Sequence, residues 1–164
     1  MKKVGILMGS DSDLPIIEKT IETLKDFDVP YEVHVYSAHR TPEKALEFSS
    51  NARKNNFAVL ICAAGMAAHL AGAIAANTVL PVIGIPCKST SLDGMDALLS
   101  TVQMPPGIPV ATVAINGGVN AALLAIQILS LEDETLYDKL LKRRLSDKEK
   151  VLEKDRQISQ KYNL

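Results

Sequence analysis

Between residues 58 and 86 the only strongly polar side chains are those of His69, Asn77 and Thr78. A stretch this apolar must leave water, and it can do so in a bilayer or in a protein core. A membrane-spanning helix needs about 20 predominantly apolar residues without interruption. Here Gly65, Gly72, Pro81, Gly84 and Pro86 divide the run into a strand-length piece (59–63), a helix-length piece (67–79) and a second strand-length piece (82–85). A β-α-β unit covered on both faces accounts for that division, and such units imply a parallel sheet.

The other apolar runs extend the unit. Residues 4–8, 31–36 and 110–115 are short and, like 59–63 and 82–85, often rich in Val and Ile. Several are continuously apolar rather than alternating, as parallel strands buried on both faces are. Helix-length segments lie between them. Ile16, Ile17, Ile21, Leu24 and Phe27 recur close to a helical period across 14–27. Thr41, Pro42 and Glu43 open the next helix with a capping hydroxyl, a proline whose missing N–H costs nothing there, and a carboxylate at the positive dipole end. Segments 67–79, 93–102 and 120–131 supply three more. Strand and helix thus alternate five times, which predicts a three-layer α/β/α sandwich on a parallel sheet. The short first crossover and the strand count favour a flavodoxin-like order. The 164 residues suit one catalytic domain, 1–164, with its core in 1–131. Residues 132–164 turn charge-rich and read as a C-terminal helical extension of one or two amphipathic helices.

Composition narrows the partners. The net charge is -1, aromatics make up 4% and Trp is absent. No field exists to hold a nucleic acid, and few rings exist to stack on bases. Cys62 and Cys87 form neither a C-x-x-C pair nor a zinc spacing, so they read as reduced thiols packed as small apolar groups. The short apolar run after Met1, Lys2 and Lys3 leads into Gly9-Ser10-Asp11-Ser12-Asp13 rather than a cleavage site, so it reads as a first strand, and a cytoplasmic location is expected. Helix 67–79 has almost no polar face, which predicts burial against another subunit, with cover by neighbouring helices of the same chain as the alternative.

In open parallel sheets, ligands bind outside the carboxyl ends of the strands. The segments there are Gly9-Ser10-Asp11-Ser12-Asp13, Ser37-Ala38-His39-Arg40-Thr41-Pro42, Ala64-Gly65-Met66-Ala67-Ala68-His69, and Cys87-Lys88-Ser89-Thr90-Ser91-Leu92-Asp93-Gly94. Two of the three histidines and Arg40 fall in them. The first segment is either a turn with Ser12 or Asp13 capping a helix, or an anion loop built on backbone N–H groups. Its carboxylates repel a phosphate but accept hydrogen bonds from sugar hydroxyls. Asp13 is therefore assigned to hydroxyl recognition, and Ser10, Ser12, Ser37 and Arg40 to a phosphate. Histidine is the side chain whose unperturbed pKa lies near neutrality, so His39 suits proton transfer. His69, two residues into the apolar helix, is either a core histidine or a site residue. His34, mid-strand, is assigned nothing. Asp11, Asp13 and His39 offer one set for Mg²⁺, but no ligand spacing demands it, and neither metal nor cofactor is expected. No nucleophile elbow, P-loop or dinucleotide fingerprint is present.

The first three of these segments, with Leu98-Leu99-Ser100-Thr101-Val102-Gln103-Met104-Pro105, resemble the N5-carboxyaminoimidazole ribonucleotide mutase family of purine biosynthesis. The match runs in order from about Val4 to Leu129. The resemblance implies a flavodoxin-like sandwich assembled as a homo-octamer. It also implies conversion of N5-carboxyaminoimidazole ribonucleotide to 4-carboxy-5-aminoimidazole ribonucleotide through bound CO₂, without ATP, metal or organic cofactor. By motif, His39 is the general acid/base, and Ser10, Asp13 and Arg40 bind the ribonucleotide. Ser12, Ser37, Gly65, Ala67 and His69 line the pocket. Arg40 resembles the mutase branch; the branch that carboxylates aminoimidazole ribonucleotide with free CO₂ typically has Lys there. Met66 stands where the family usually has Gly, and Ala71 where it usually has Pro. A positive φ at position 66 would strain Met or reshape the loop. The rival readings are the free-CO₂ carboxylase, a sugar-phosphate isomerase, and a non-catalytic nucleotide- or flavin-binding module.

Overall fold

In the computed structural model, which describes residues 2–163, the five apolar runs become five parallel strands: β1 (Lys3–Met8), β2 (Tyr31–Val35), β3 (Phe57–Gly65), β4 (Val82–Cys87) and β5 (Ala111–Thr112). Their order, β2-β1-β3-β4-β5, is the flavodoxin-like one. The pleat sorts successive side chains into two cores. Ile6, Ile61 and Ile83 face one, while Leu7, Leu60 and Cys62 face the other. The first core is closed by α1 (Leu14–Asp26) and α5 (Gly118–Leu129), and the second by α2 (Pro42–Asn51) and α3 (Leu70–Ala75). The bare face of Gly84 lets Thr101 of α4 (Met95–Val102) and Ala71 of α3 close over β4 together. Each fully buried Ile or Leu contributes roughly 1.5–3 kcal/mol, and strands (Ile6, Leu7, Leu60, Ile61, Ile83, Ile85) and helices (Ile17, Leu24, Leu70, Ile74, Ile126, Leu136) share them.

The α1–α5 seam closes backbone to backbone. Thr20 Oγ1 donates to the Gly118 carbonyl at 3.0 Å, and a Cβ at Gly118 would overlap the Ile16 carbonyl oxygen.

Three sequence expectations are corrected here. The helix expected over 67–79 shrinks to Leu70–Ala75: His69 N bonds the Ala67 carbonyl (2.8 Å) in a turn, and Asn77 Nδ2 closes the far end on the Ala73 carbonyl (2.8 Å). Leu70, Ala71, Ile74 and Ala75 are buried within the chain itself, while Gly72 and Ala73 stay partly exposed. Thr41 does not cap α2. Its hydroxyl accepts from Ser37 N (2.9 Å) and donates to the Ser37 carbonyl (3.2 Å), which locks the β2–α2 loop. The strand expected over 110–115 contracts to two residues, with single bonds from Val113 N and Asn116 N to β4.

The charge-rich C-terminal segment is one helix, α6 (Glu134–Tyr162). Asp133 caps it by accepting from Leu136 N (3.2 Å), Leu136 is buried, and Lys139 Nζ reaches Asp28 (2.7 Å) and the Phe27 carbonyl (3.2 Å). Further along, Asp147 pairs with Arg143 and Lys150, and Glu153 with Arg156. Among the described residues no helix is long and apolar enough to cross a membrane.

Candidate active site at the strand ends

Strand order reverses between β1 and β3, and a crevice is expected at such a point. The loops after β1, β2, β3 and β4 converge there around a cleft of about 640 Å³. A larger hollow of about 940 Å³ lies at the opposite strand edge, but its only titratable lining side chain is Arg53, so chemistry belongs to the first. Ser10, Ser12, Asp13, Ser37, His39, Arg40, Gly65, Ala67 and His69 all line the strand-end cleft.

The first wall is the turn after β1. Gly9 N bonds the Ala63 carbonyl (3.0 Å), which ties this turn to β3. Ser10 Oγ accepts from Ser12 N at 3.4 Å and starts a single 3₁₀ turn, Asp11–Asp13. The side chain of Asp13 is buried rather than capping α1. Burial pushes its carboxyl above the usual carboxylate range, and the Asp11 charge adds to that; the Cys87 thiol and the Ser10 backbone pull the other way. The Cys87 thiol is pushed up to about 12, by burial first and by Asp13 next, so it stays protonated at neutral pH. Cys62 and Cys87 are both free and buried.

The second wall follows β2. Ser37 Oγ accepts from His39 N (3.3 Å) and Arg40 N (3.2 Å) and so shapes the loop from within. Arg40 spans to the first wall: Nη2 donates to the Gly9 carbonyl (2.8 Å) and Nε to Ser37 Oγ (3.4 Å). A guanidinium has five N–H donors, so most of its fork is left for an anion.

The third wall follows β3. Met66 has φ 57, in the left-handed region where the family's usual Gly would sit without strain. It is 66% exposed. His69 lies at the start of α3 rather than two residues inside it, and its side chain faces the cleft. His69 Nδ1 is 2.8 Å from His39 Nε2, with the rings nearly perpendicular at 86°. One ring must present N–H and the other a lone pair, so the contact couples the tautomers of the two histidines. His34 is elsewhere, on β2, bonded to Glu32 (2.8 Å) and stacked on Tyr36. Lys3 first, and His34 next, hold the Glu32 carboxyl below its usual range.

The fourth wall, after β4, brings in Lys88 and Ser89, to which sequence reasoning gives no role. Their position at a strand end is the available signal; the direction of their side chains is not legible in the sequence. Asp11, Asp13 and His39 do not converge: among the described residues no group of three or more His, Cys, Asp or Glu is placed to hold a metal ion.

Residues 3–150, which include all five strands and all four walls, match the AIR carboxylase family. The chain belongs to that family. It is 56% identical over 144 residues to an N5-carboxyaminoimidazole ribonucleotide mutase of Pyrococcus abyssi, covering 88% of this chain and 83% of that one. A protein of the same name from Methanocaldococcus jannaschii is 51% identical over 159 residues, or 97% and 99% of the two chains. The crystal structure of Treponema denticola PurE superposes with a TM-score of 0.86 at 32% identity, covering 98% of each chain. For this member of the AIR carboxylase family, the resemblance read from the strand-end segments and the flavodoxin-like order therefore hold.

Proposed function

We propose that this chain is an N5-carboxyaminoimidazole ribonucleotide mutase, an isomerase of purine biosynthesis. The observation that carries the site assignment is the His39–His69 pair, 2.8 Å apart inside a cleft whose other walls hold Arg40 and the buried Asp13. The high identity to relatives of that name supports the activity.

In this reading the free N–H groups of Arg40, with Ser10, Ser12 and Ser37, hold the phosphate, and Asp13 accepts from ribose hydroxyls. The carbamate C–N bond breaks, CO₂ stays beside the ring, and the exocyclic nitrogen takes a proton from His39 acting as the acid. A new C–C bond forms between CO₂ and the ring carbon, and the proton on that carbon passes to His39. His69, 2.8 Å from His39 Nε2, orients the His39 ring and couples its tautomer to its own. Proton transfer of this kind is worth about 10²–10⁴-fold. Holding CO₂ at its acceptor supplies the larger share, because a captive reactant has an effective concentration of about 10⁵ M or more. Gly65 and Ala67 line the same cleft and carry at most a methyl group.

The same reading takes residues 1–164 as one catalytic domain in the cytoplasm, assembled as a homo-octamer, using no cofactor and binding no nucleic acid. Ultraviolet absorbance tests it, with fresh N5-carboxyaminoimidazole ribonucleotide in one reaction and aminoimidazole ribonucleotide plus bicarbonate in another, both without ATP or metal. Rapid conversion of the carbamate isomer alone is expected. Faster conversion of the second mixture would make the protein a carboxylase, and silence in both would leave a binding module.

A further inference from the structure

The fourth wall of the cleft has no part in the reaction as described, yet it carries a cation. A carboxylated ribonucleotide brings two oxyanions, a phosphate monoester and a carboxylate, into a cleft that already contains the Asp13 carboxyl. Arg40 and Lys88 are the only Arg or Lys among the cleft-lining residues, and Arg40 is partly committed to Gly9 and Ser37.

Lys88 is anchored at its backbone and loosely held at its tip. Its N–H donates to Asn116 Oδ1 at 2.8 Å, and Gly94 packs against it so closely that an added Cβ would stand 3.2 Å from Lys88 Cα. Asp93 and Gly94 both take left-handed backbone, φ 53 and 93, which turns the loop back on its own start. That turn sets Asp93 Oδ1 3.0 Å from Lys88 Nζ. The two side chains are 58% and 81% exposed, and an ion pair so open to water contributes little. Parting it therefore costs little, while the fixed backbone keeps the ammonium within reach of the cleft.

We infer that Lys88 recognises an oxyanion of the substrate and that Asp93 holds it in reserve until that anion displaces the Asp93 carboxylate. The inference rests on the ribonucleotide reading above. A loop staple alone would also pair Lys88 with Asp93, but it would not make the Asp93 charge a competitor of the ligand.

Calorimetric titration with two ligands separates these roles: 4-carboxy-5-aminoimidazole ribonucleotide, which has both anions, and aminoimidazole ribonucleotide, which has the phosphate alone. Lys88→Gln is expected to raise Kd by about three- to tenfold, the scale of one exposed charge. Asp93→Asn keeps a residue that tolerates left-handed backbone but removes the competing charge, so Kd should fall about two- to threefold. Both effects should shrink in roughly 0.5 M salt, where screening is within about 5 Å. Equal changes for both ligands would assign Lys88 to the phosphate; a change for the carboxylated ligand alone would assign it to the carboxylate. Unchanged binding in Lys88→Gln, or weaker binding in Asp93→Asn, would overturn the inference while leaving the ribonucleotide reading intact. Failure of the wild-type protein to bind either ligand would overturn both.

Discussion

Replacing Met66 with glycine and, separately, with alanine isolates the backbone strain at the third wall. At φ 57 an L-residue suffers a Cβ–carbonyl clash that costs about 1–2 kcal/mol. Glycine escapes the clash but is about 0.5–1 kcal/mol worse than alanine in backbone entropy. The two variants lose the same packing, and not much of it, because the side chain is already 66% exposed. Met66→Gly should therefore be more stable than Met66→Ala by about 0.5–1 kcal/mol. With a urea m-value of about 2 kcal/mol/M, the midpoints should differ by about 0.3–0.5 M. Urea unfolding followed by circular dichroism, at a single protein concentration so that any assembly contributes equally, gives the number. An alanine variant as stable as the glycine variant would refute the reasoning, since the left-handed backbone would then carry no strain.

The other expectations concern the remaining walls. His39→Asn should reduce turnover by at least about 10²-fold with ligand Kd nearly unchanged, because the phosphate contacts survive; single-turnover absorbance and calorimetry check the two halves. Arg40→Ala should weaken ligand binding by about 1.5–3 kcal/mol, and an unchanged Kd would mean that the guanidinium serves only Gly9 and Ser37. Asp13→Asn should weaken ribonucleotide binding while raising stability at neutral pH. Burial lifts the Asp13 pKa in the folded protein, so from about pH 3.9 upward the unfolded chain releases this proton first and stability falls as pH rises. The stability gained by Asp13→Asn over wild type should thus shrink as pH is lowered towards about 4; thermal unfolding between about pH 4.5 and 7 shows the trend.

The fold was legible because burial writes itself into composition. Strands such as 59–63, covered on both faces, have no reason to contain a polar residue, and the glycines and prolines between them mark their ends. The lengths of the elements were less legible. Nothing in Ala67, Ala68 and His69 forbids a helix, and only the left-handed Met66 and the turn bond from His69 N to Ala67 delay its start. The walls of the cleft could be named from strand ends alone. What brings His39 to His69 is a contact across thirty positions, set by the adjacency of β1 to both β2 and β3. Lys88 escapes sequence reasoning because a lysine in a polar loop looks like any solvated charge until its cleft-facing position is known.

The turns after β1, β2 and β3 hang from the sheet at their roots, and Arg40 to Gly9 and His39 to His69 tie them to one another above it. Gly9 N and Tyr36 N are still bonded to the neighbouring strands, each at 3.0 Å, and Gly65 still pairs with Cys87. The spacing of Asp13, His39 and His69 is therefore inherited from strands about 4.8 Å apart, in the most deeply buried part of the protein. On warming, these backbone bonds keep the turns anchored for as long as the sheet holds. Inactivation and unfolding should trace the same curve, and any substitution that strengthens β1 or β3 should carry the upper working temperature with it.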